Sequence, residues 1–338
     1  MPSSLLASRL PVARGPWSRL VLTLLTDPAA EAVPDPAAPT VPEQVLADDD
    51  LQLALWLSYE LHYRGLPGVP DELEWDPRLL AVRRDLEDRL LAALTAVIPE
   101  VDAVEPGEVP ARLEKLVVAD DGPSLSQYLQ RQATIEQFRE FVQHRSVYHL
   151  KEADPHSWGI PRLAGAAKVA LVEIQADEYG GGRPERMHAE LFRATMRGLG
   201  LDDRYAGYLD RTPGSTLAVS NAMSFFGLHR RWRGALAGHL AAFEMTSSAP
   251  NRRYARGLRR LGGDDAAARF YDEHVVADAV HEQLAAHDLC GSLALAEPEL
   301  AGDILFGAAV ALELDARFAG RLLDCWQAGQ SSLLPSRC

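Results

Sequence analysis

His274, Asp278 and His281 stand in the run from Tyr271 to Ala285, which holds neither glycine nor proline and has the pattern of a helix. At about 100° per residue, positions i, i+4 and i+7 fall within roughly 60° of arc, so the three side chains form one stripe. Two imidazoles and a carboxylate are N/O donors that suit iron, manganese or zinc. A stripe that is only solvated or hydrogen-bonded would look the same, so the decision rests on the rest of the chain.

Three other places supply matching groups. In Asp177-Glu-Tyr-Gly-Gly-Gly-Arg-Pro-Glu-Arg-Met-His188, Glu178 closes one helix, the glycines let the chain bend, and Pro184 suits the first turn of the next helix. His188 is expected on that next helix, with Glu185 at i−3 on the same face. A Glu-x-x-His facing carboxylates on other helices is one construction of helical di-iron and di-manganese sites. Glu244 lies in a mostly apolar run, Ala235 to Met245, where a buried carboxylate is costly unless paired or metal-bound. Glu152 is expected to close a long helix that starts near Ser124. Separate helices thus deliver four carboxylates and three imidazoles to one centre. The inventory suits two metal ions with open positions better than one. It does not suit structural zinc, which is saturated by four Cys or His ligands.

Taken in order, Glu152, Glu178 with His188, Glu244, and His274-x3-Asp278-x2-His281 resemble the haem-oxygenase-like di-iron oxidases and oxygenases, a family of iron-containing redox enzymes. The resemblance covers roughly residues 49 to 328. Some members look like Glu-x-x-His in the second element, and others place the glutamate in Asp-Glu-Tyr-Gly, ten residues before the histidine. This chain has both, so Glu178 and Glu185 compete for one role, and the complete Asp177-Glu-Tyr-Gly180 string favours Glu178. The resemblance implies an all-α, haem-oxygenase-like helical bundle holding two Fe(II) ions, with O2 as co-substrate. The implied reaction is oxidation of a small organic molecule: N-oxygenation, desaturation, C–C cleavage or hydroxylation. The metal ligands themselves carry the chemistry, with no further catalytic residue expected. Tyr148, Tyr179 and Tyr271 lie close to ligands in sequence and are expected to hydrogen-bond the carboxylates. The alternative is a haem-oxygenase-fold protein without a di-iron site, either a cofactorless oxidase or a haem- or ligand-binding protein.

Composition bounds the remaining function classes. The chain has 338 residues, enough to bury a substantial core, and 47% of them are hydrophobic. Its formal charge is −14, with 48 Asp and Glu against 34 Lys and Arg. That argues against nucleic-acid binding, whose footprint is a basic face. Three cysteines without a CxxC argue against a disulfide framework and suit a reducing compartment. No apolar run approaches the length of a membrane span, and Leu20 to Leu25 is too short for a signal-peptide core, so a cytoplasmic protein is expected. A small-molecule substrate is the expected partner; an external electron donor and a homodimer are compatible with the chain.

The organisation read from the sequence is a flexible Pro/Ala-rich leader (1–42), an N-terminal helical extension (43–118), the metal-binding helical domain (119–330) and a short tail (331–338). Helices are expected over about 51–63, 77–98, 124–152, 162–179, 184–199, 202–210, 214–226, 229–247, 251–261, 264–289 and 294–328. His62, His149 and His239 sit in helical stretches where structural or hydrogen-bonding roles are expected. P-loop, Rossmann and nucleophile-elbow motifs are absent.

Overall fold

The computed structural model describes residues 7, 9–27, 29–30, 39–99 and 103–335, and of residues 276–280 it describes the backbone alone. The leader expectation fails first. Pro16–Thr26 forms a helix, α1, whose Trp17, Val21, Leu24 and Leu25 recur at helical spacing and are all buried. Its N-terminus is held by Asp50, whose carboxylate accepts from the Trp17 and Ser18 backbone N–H groups at 2.8 Å each. Two further helices follow, α2 (Pro42–Ala47) and α3 (Asp49–Glu60). Asp48 caps α3 by accepting from the backbone N–H groups of Asp50 and Leu51 at 3.0 and 2.7 Å. Every residue of α3 from Leu51 to Glu60 is buried, which explains its unbroken Leu and aromatic content.

α4 (Pro77–Val97) and α5 (Val109–Ala119) complete the first part. The expected helix from Ser124 through Glu152 is instead two, α6 (Leu125–Arg131) and α7 (Ile135–His149). Thr134 starts α7 with a capping box closed by Gln137. Glu152 therefore lies just beyond α7, in the turn before α8 (Asp154–Ser157). Gln175 on α9 (Gly165–Glu178) fixes that turn by donating to the Ala153 carbonyl at 2.6 Å and to Ser157 Oγ at 2.7 Å.

The next helix, α10, is His188–Gly198 and not 184–199, and residues 202–210 form only turns and a short 3-10 segment. α11 is Gly214–Leu228 and α12 is Arg233–Arg260. The break expected after 247 does not occur, because α12 runs through Pro250. The proline ring only removes one donor, so the carbonyl of Thr246 loses its intrahelical partner while packing carries the helix on. α13 (Asp265–Gln283) is followed without a turn by a π-helical segment, Leu284–Gly291, then α14 (Ser292–Ala296) and α15 (Ala301–Gln327).

Helical segments make up 76% of the structure and no strand occurs among the described residues, so the fold is all-α. α12 packs along both α13 and α15. Where α12 crosses α15, a Cβ on Gly238 would sit 1.8 Å from the Ile304 carbonyl oxygen, and one on Gly307 would sit 2.0 Å from that of Ala235. The reciprocal glycines let the two backbones touch, which only residues without a side chain permit. One hydrophobic cluster runs from Trp17 through Leu57 and Leu94 to Phe226, Phe270 and Trp326, so the N-terminal helices share a core with the later ones. A second gathers α5, α9, α12, the π segment and α15. The expected tail is also docked up to Leu334. Ser332 and Leu333 are buried, and Ser332 donates to Glu140 through both N and Oγ, at 2.9 and 2.8 Å. No described helix is long and apolar enough to cross a membrane.

Candidate metal centre

The end of α7, the end of α9, the middle of α12 and α13 meet around one cavity of about 370 Å3. Glu152, Glu178, Glu244 and His274 line it. One ligand-type atom from each of Glu152, His188 and His274 lies within 4.8 Å of the others, and all three residues are buried.

His188 reaches the site because the chain reverses tightly after α9. Gly180, Gly181 and Gly182 take φ of +73°, +60° and +78°, the left-handed region where a side chain is strained. The reversal returns His188 Nδ1 to 3.0 Å from Glu178 Oε2. Glu185, the rival, is exposed on a 3-10 turn. Met187, with ψ of 133°, separates that turn from α10, so Glu185 and His188 do not share a helical face. Local geometry thus brings Glu178, and not Glu185, to the histidine.

Two histidines are presented with a defined nitrogen. His274 Nδ1 donates to the Phe270 carbonyl at 2.8 Å, which leaves Nε2 facing Glu152 Oε1 at 3.8 Å. His281 Nε2 donates to Asp177 Oδ2 at 3.0 Å, which leaves Nδ1 facing Glu244 Oε2 at 3.4 Å. In each ring one nitrogen is fixed as donor, so in the neutral form the other offers its lone pair to the centre; metal-binding histidines are oriented in this way. His149 holds Glu152 in place, its Nδ1 lying 2.8 Å from Oε1.

The electrostatics follow from three carboxylates and several imidazoles buried together. Burial pushes the Glu152 carboxyl up, but His149 and His274 outweigh it and hold the group well below the usual carboxylate range. Burial and His188 push His274 down, yet Glu152 and Glu178 raise it overall. Burial opposes, while Glu244 and Asp177 together lift, the His281 pKa to about 9.

The residues fit a metal on grounds internal to the structure. Glu152 Oε2, His188 Nδ1 and His281 Nδ1 are buried and make no hydrogen bond among the described residues. Two of them face a carboxylate, His188 Nδ1 that of Glu178 and His281 Nδ1 that of Glu244, without forming a hydrogen bond to it, and polar atoms buried in this way are costly. A cation that accepts their lone pairs relieves that cost.

Of the residues expected from sequence, the structure gathers Glu152, Glu178, His188, Glu244, His274 and His281. The side chain of Asp278 lies outside the described residues, although its backbone is on α13. Tyr148 behaves as expected in part: burial and then Glu152 push its hydroxyl well up, so it faces that carboxylate. Tyr179 does not meet a candidate ligand; its hydroxyl donates to Asp154 at 2.9 Å and pairs with Ser157 at 2.9 Å. Tyr271 packs among Phe138, Tyr254 and Phe270, and its hydroxyl makes no hydrogen bond among the described residues. Tyr179 directly follows Glu178 and so points about 100° away from it, whereas Tyr271, three residues before His274, is taken up by its aromatic neighbours. Sequence reasoning missed Asp177, which orients His281; its one signal was its place immediately before Glu178.

An all-α bundle with a histidine–carboxylate centre in its core defines a helical metalloprotein. Residues 139–316, just over half of the chain and including every expected ligand, match the family described as iron-containing redox enzyme. The chain belongs to that family. It is also similar to a nitrosourea synthase of Streptomyces achromogenes subsp. streptozoticus, with 26% identity over 136 residues, which is 40% of this chain and 29% of that protein. The match thus spans less than a third of the relative's own length.

Proposed function

We propose that the protein is a non-haem di-iron oxidase or oxygenase that uses O2 to oxidise a small organic molecule. The observation that carries this reading is the pair of histidine–carboxylate contacts, His274 with Glu152 and His281 with Glu244, whose two carboxylates line one cavity. Glu152, His188 and His274 would hold one ion, and Glu178, Glu244, His281 and Asp278 would supply the second. When bound, two ferrous ions supply the electrons that reduce O2.

The chain's own residues prepare that chemistry. His149 fixes Glu152, the Phe270 carbonyl fixes His274, and Asp177 fixes His281. Tyr148, with its pKa raised, keeps its proton at the hydroxyl beside Glu152. Leu240 and Phe243 form an apolar part of the wall that limits water near the reacting atoms. The name of the similar synthase points to chemistry at nitrogen, which places N-oxygenation first among the proposed reactions. An external electron donor, a homodimer and a cytoplasmic setting belong to the same reading. The last is supported by the free Cys290 and Cys325. The N-terminal helices 43–118 serve in it as an extension packed on the metal-binding domain.

Anaerobic Fe(II) titration followed by O2 exposure, watched by absorption and Mössbauer spectroscopy, tests the proposal. Wild type takes up two irons per chain and oxidises them on exposure. Glu244→Ala and His281→Ala lose at least one iron and the O2 response, whereas Glu185→Gln keeps both. No iron uptake, or one iron without reaction towards O2, refutes the reading.

A further inference from the structure

The cavity carries a second charged feature that the metal reading leaves unused. Arg145 on α7 and Asp315 on α15 both line it, and Arg145 Nη2 donates to Asp315 Oδ1 at 2.6 Å. Arg145 lies one turn before His149, the last residue of α7, and Glu152 follows in the turn beyond. We propose that this pair selects the substrate: a small zwitterion of amino-acid type, its carboxylate taken by Arg145 and its ammonium by Asp315. The proposal rests on the reading of this cavity as the substrate site and deepens it.

Four observations carry it. The Arg145 guanidinium is locked, lying 4.3 Å from the Phe318 ring centre and 5.8 Å from that of Phe141, with its side chain only 12% exposed. Asp315 is 45% exposed, so one partner is fixed and the other is open to an incoming group. The two are joined through one nitrogen and one oxygen, not the two-point fork of which they are capable, so each retains hydrogen-bonding capacity. The pair has no net charge. A bare anion entering there meets the repulsion of Asp315 and a bare cation that of Arg145, whereas a zwitterion satisfies both.

The other charged groups lining the cavity, apart from the candidate ligands, already have partners. Arg253 is held by Ser126 at 3.1 Å, and the exposed Asp120 accepts from the Gly122 backbone N–H at 3.1 Å. The same cavity is lined by Tyr148, Leu240, Phe243 and Leu312, a largely apolar wall that suits an uncharged chain. A volume of about 370 Å3 is near the lower end of small-molecule sites, roughly 300–1,000 Å3, so a metabolite fits better than a bulky ligand.

Anaerobic isothermal titration calorimetry on the full chain, with and without Fe(II), compares three probes of equal chain length: norleucine, hexanoate and hexylamine. Norleucine should bind at least ten-fold more tightly than either singly charged probe. Asp315→Asn should weaken norleucine at least ten-fold while leaving hexanoate unchanged or tighter. Arg145→Gln removes a side chain packed on Phe318 and is read only if it stays folded by circular dichroism; Asp315→Asn decides in any case. Equal affinity for hexanoate and norleucine, no binding of any probe, or norleucine binding indifferent to Asp315→Asn overturns the proposal. Iron bound without norleucine binding rejects the zwitterion alone. Norleucine binding without iron uptake rejects the di-iron reading alone.

Discussion

His274 and His281 are 6% and 2% exposed, and His156 and His239 are 2% and 0% exposed. Burial is the same in the two neighbourhoods, yet the protons go opposite ways. Around His274 and His281, buried carboxylates overcome desolvation and raise both pKa values. His156 and His239 have mainly each other, with Nε2 of the first 3.3 Å from Nδ1 of the second, beside Phe243 and Phe226. Desolvation pushes His156 down to about 4 and His239 well below the usual histidine range. A buried imidazole is therefore not a ligand by virtue of burial. What marks the ligand is a carboxylate facing one nitrogen and an acceptor pinning the other.

The sharpest way to break that contrast is to exchange the two sites' fates. His274→Ala should lower iron affinity at least a hundred-fold, while His239→Gln should leave iron stoichiometry unchanged in the same anaerobic titration. Equal iron loss in both would mean that the two neighbourhoods are one site. A smaller effect tests the pinning alone. Asp177→Asn keeps the shape of the side chain but weakens its hold on the His281 N–H, and should weaken iron binding about ten- to a hundred-fold, the range for such orienting partners. An unchanged affinity would show that Asp177 is only a surface partner of His281.

The effect furthest from the iron centre is on stability in acid. His144 is fully buried between Thr216 Oγ1 and Ser332 Oγ, at 2.8 and 2.9 Å, and burial lowers its pKa to about 3. Its folded pKa lies below the unfolded value near 6.5, so the unfolded chain takes the proton first. The stabilisation is complete above about pH 6.5 and is lost as pH falls towards 3, at about 1.4 kcal/mol per pH unit for one proton. His144→Gln should make the acid limb of a urea-unfolding pH series shallower by about one proton. An unchanged slope would remove His144 from the group of buried neutral histidines.

Glu244 and His274 stood out as candidate ligands because each is a polar residue in a run whose neighbours are core. Glu244 stands among Leu240, Ala241, Ala242 and Phe243, and His274 stands four residues after Phe270. Placement by phase was weaker. Tyr179 adjoins Glu178 in sequence, but a residue next to another points about 100° away on a helix, and Tyr271, one turn before His274, is drawn instead into the aromatic packing of Phe138, Tyr254 and Phe270. The Glu185 ambiguity needed backbone angles: whether Pro184 opens the helix or precedes it is decided at Met187. α1 was hidden by the Pro- and Ala-rich stretch that follows it, although Trp17, Val21, Leu24 and Leu25 carried the right period. Pro250 suggested a break because local propensity disfavours proline within helices, and the packing of α12 against α13 and α15 overrode it. The Gly238–Ile304 and Gly307–Ala235 contacts are long-range and leave no local signal.

The π-helical segment Leu284–Gly291 has an evolutionary consequence. It begins immediately after the helix that carries His274 and His281, and it takes up more residues per turn than an α-helix. An insertion or deletion between His274 and His281 would swing one imidazole about 100° off the stripe and disperse the site. A residue lost from 284–291 can instead be absorbed by relaxation to ordinary α-helix. Relatives of this chain should therefore vary in length after Gln283 and hold it constant before. The segment acts as an expansion joint, letting α14 and α15 shift register without disturbing the ligands.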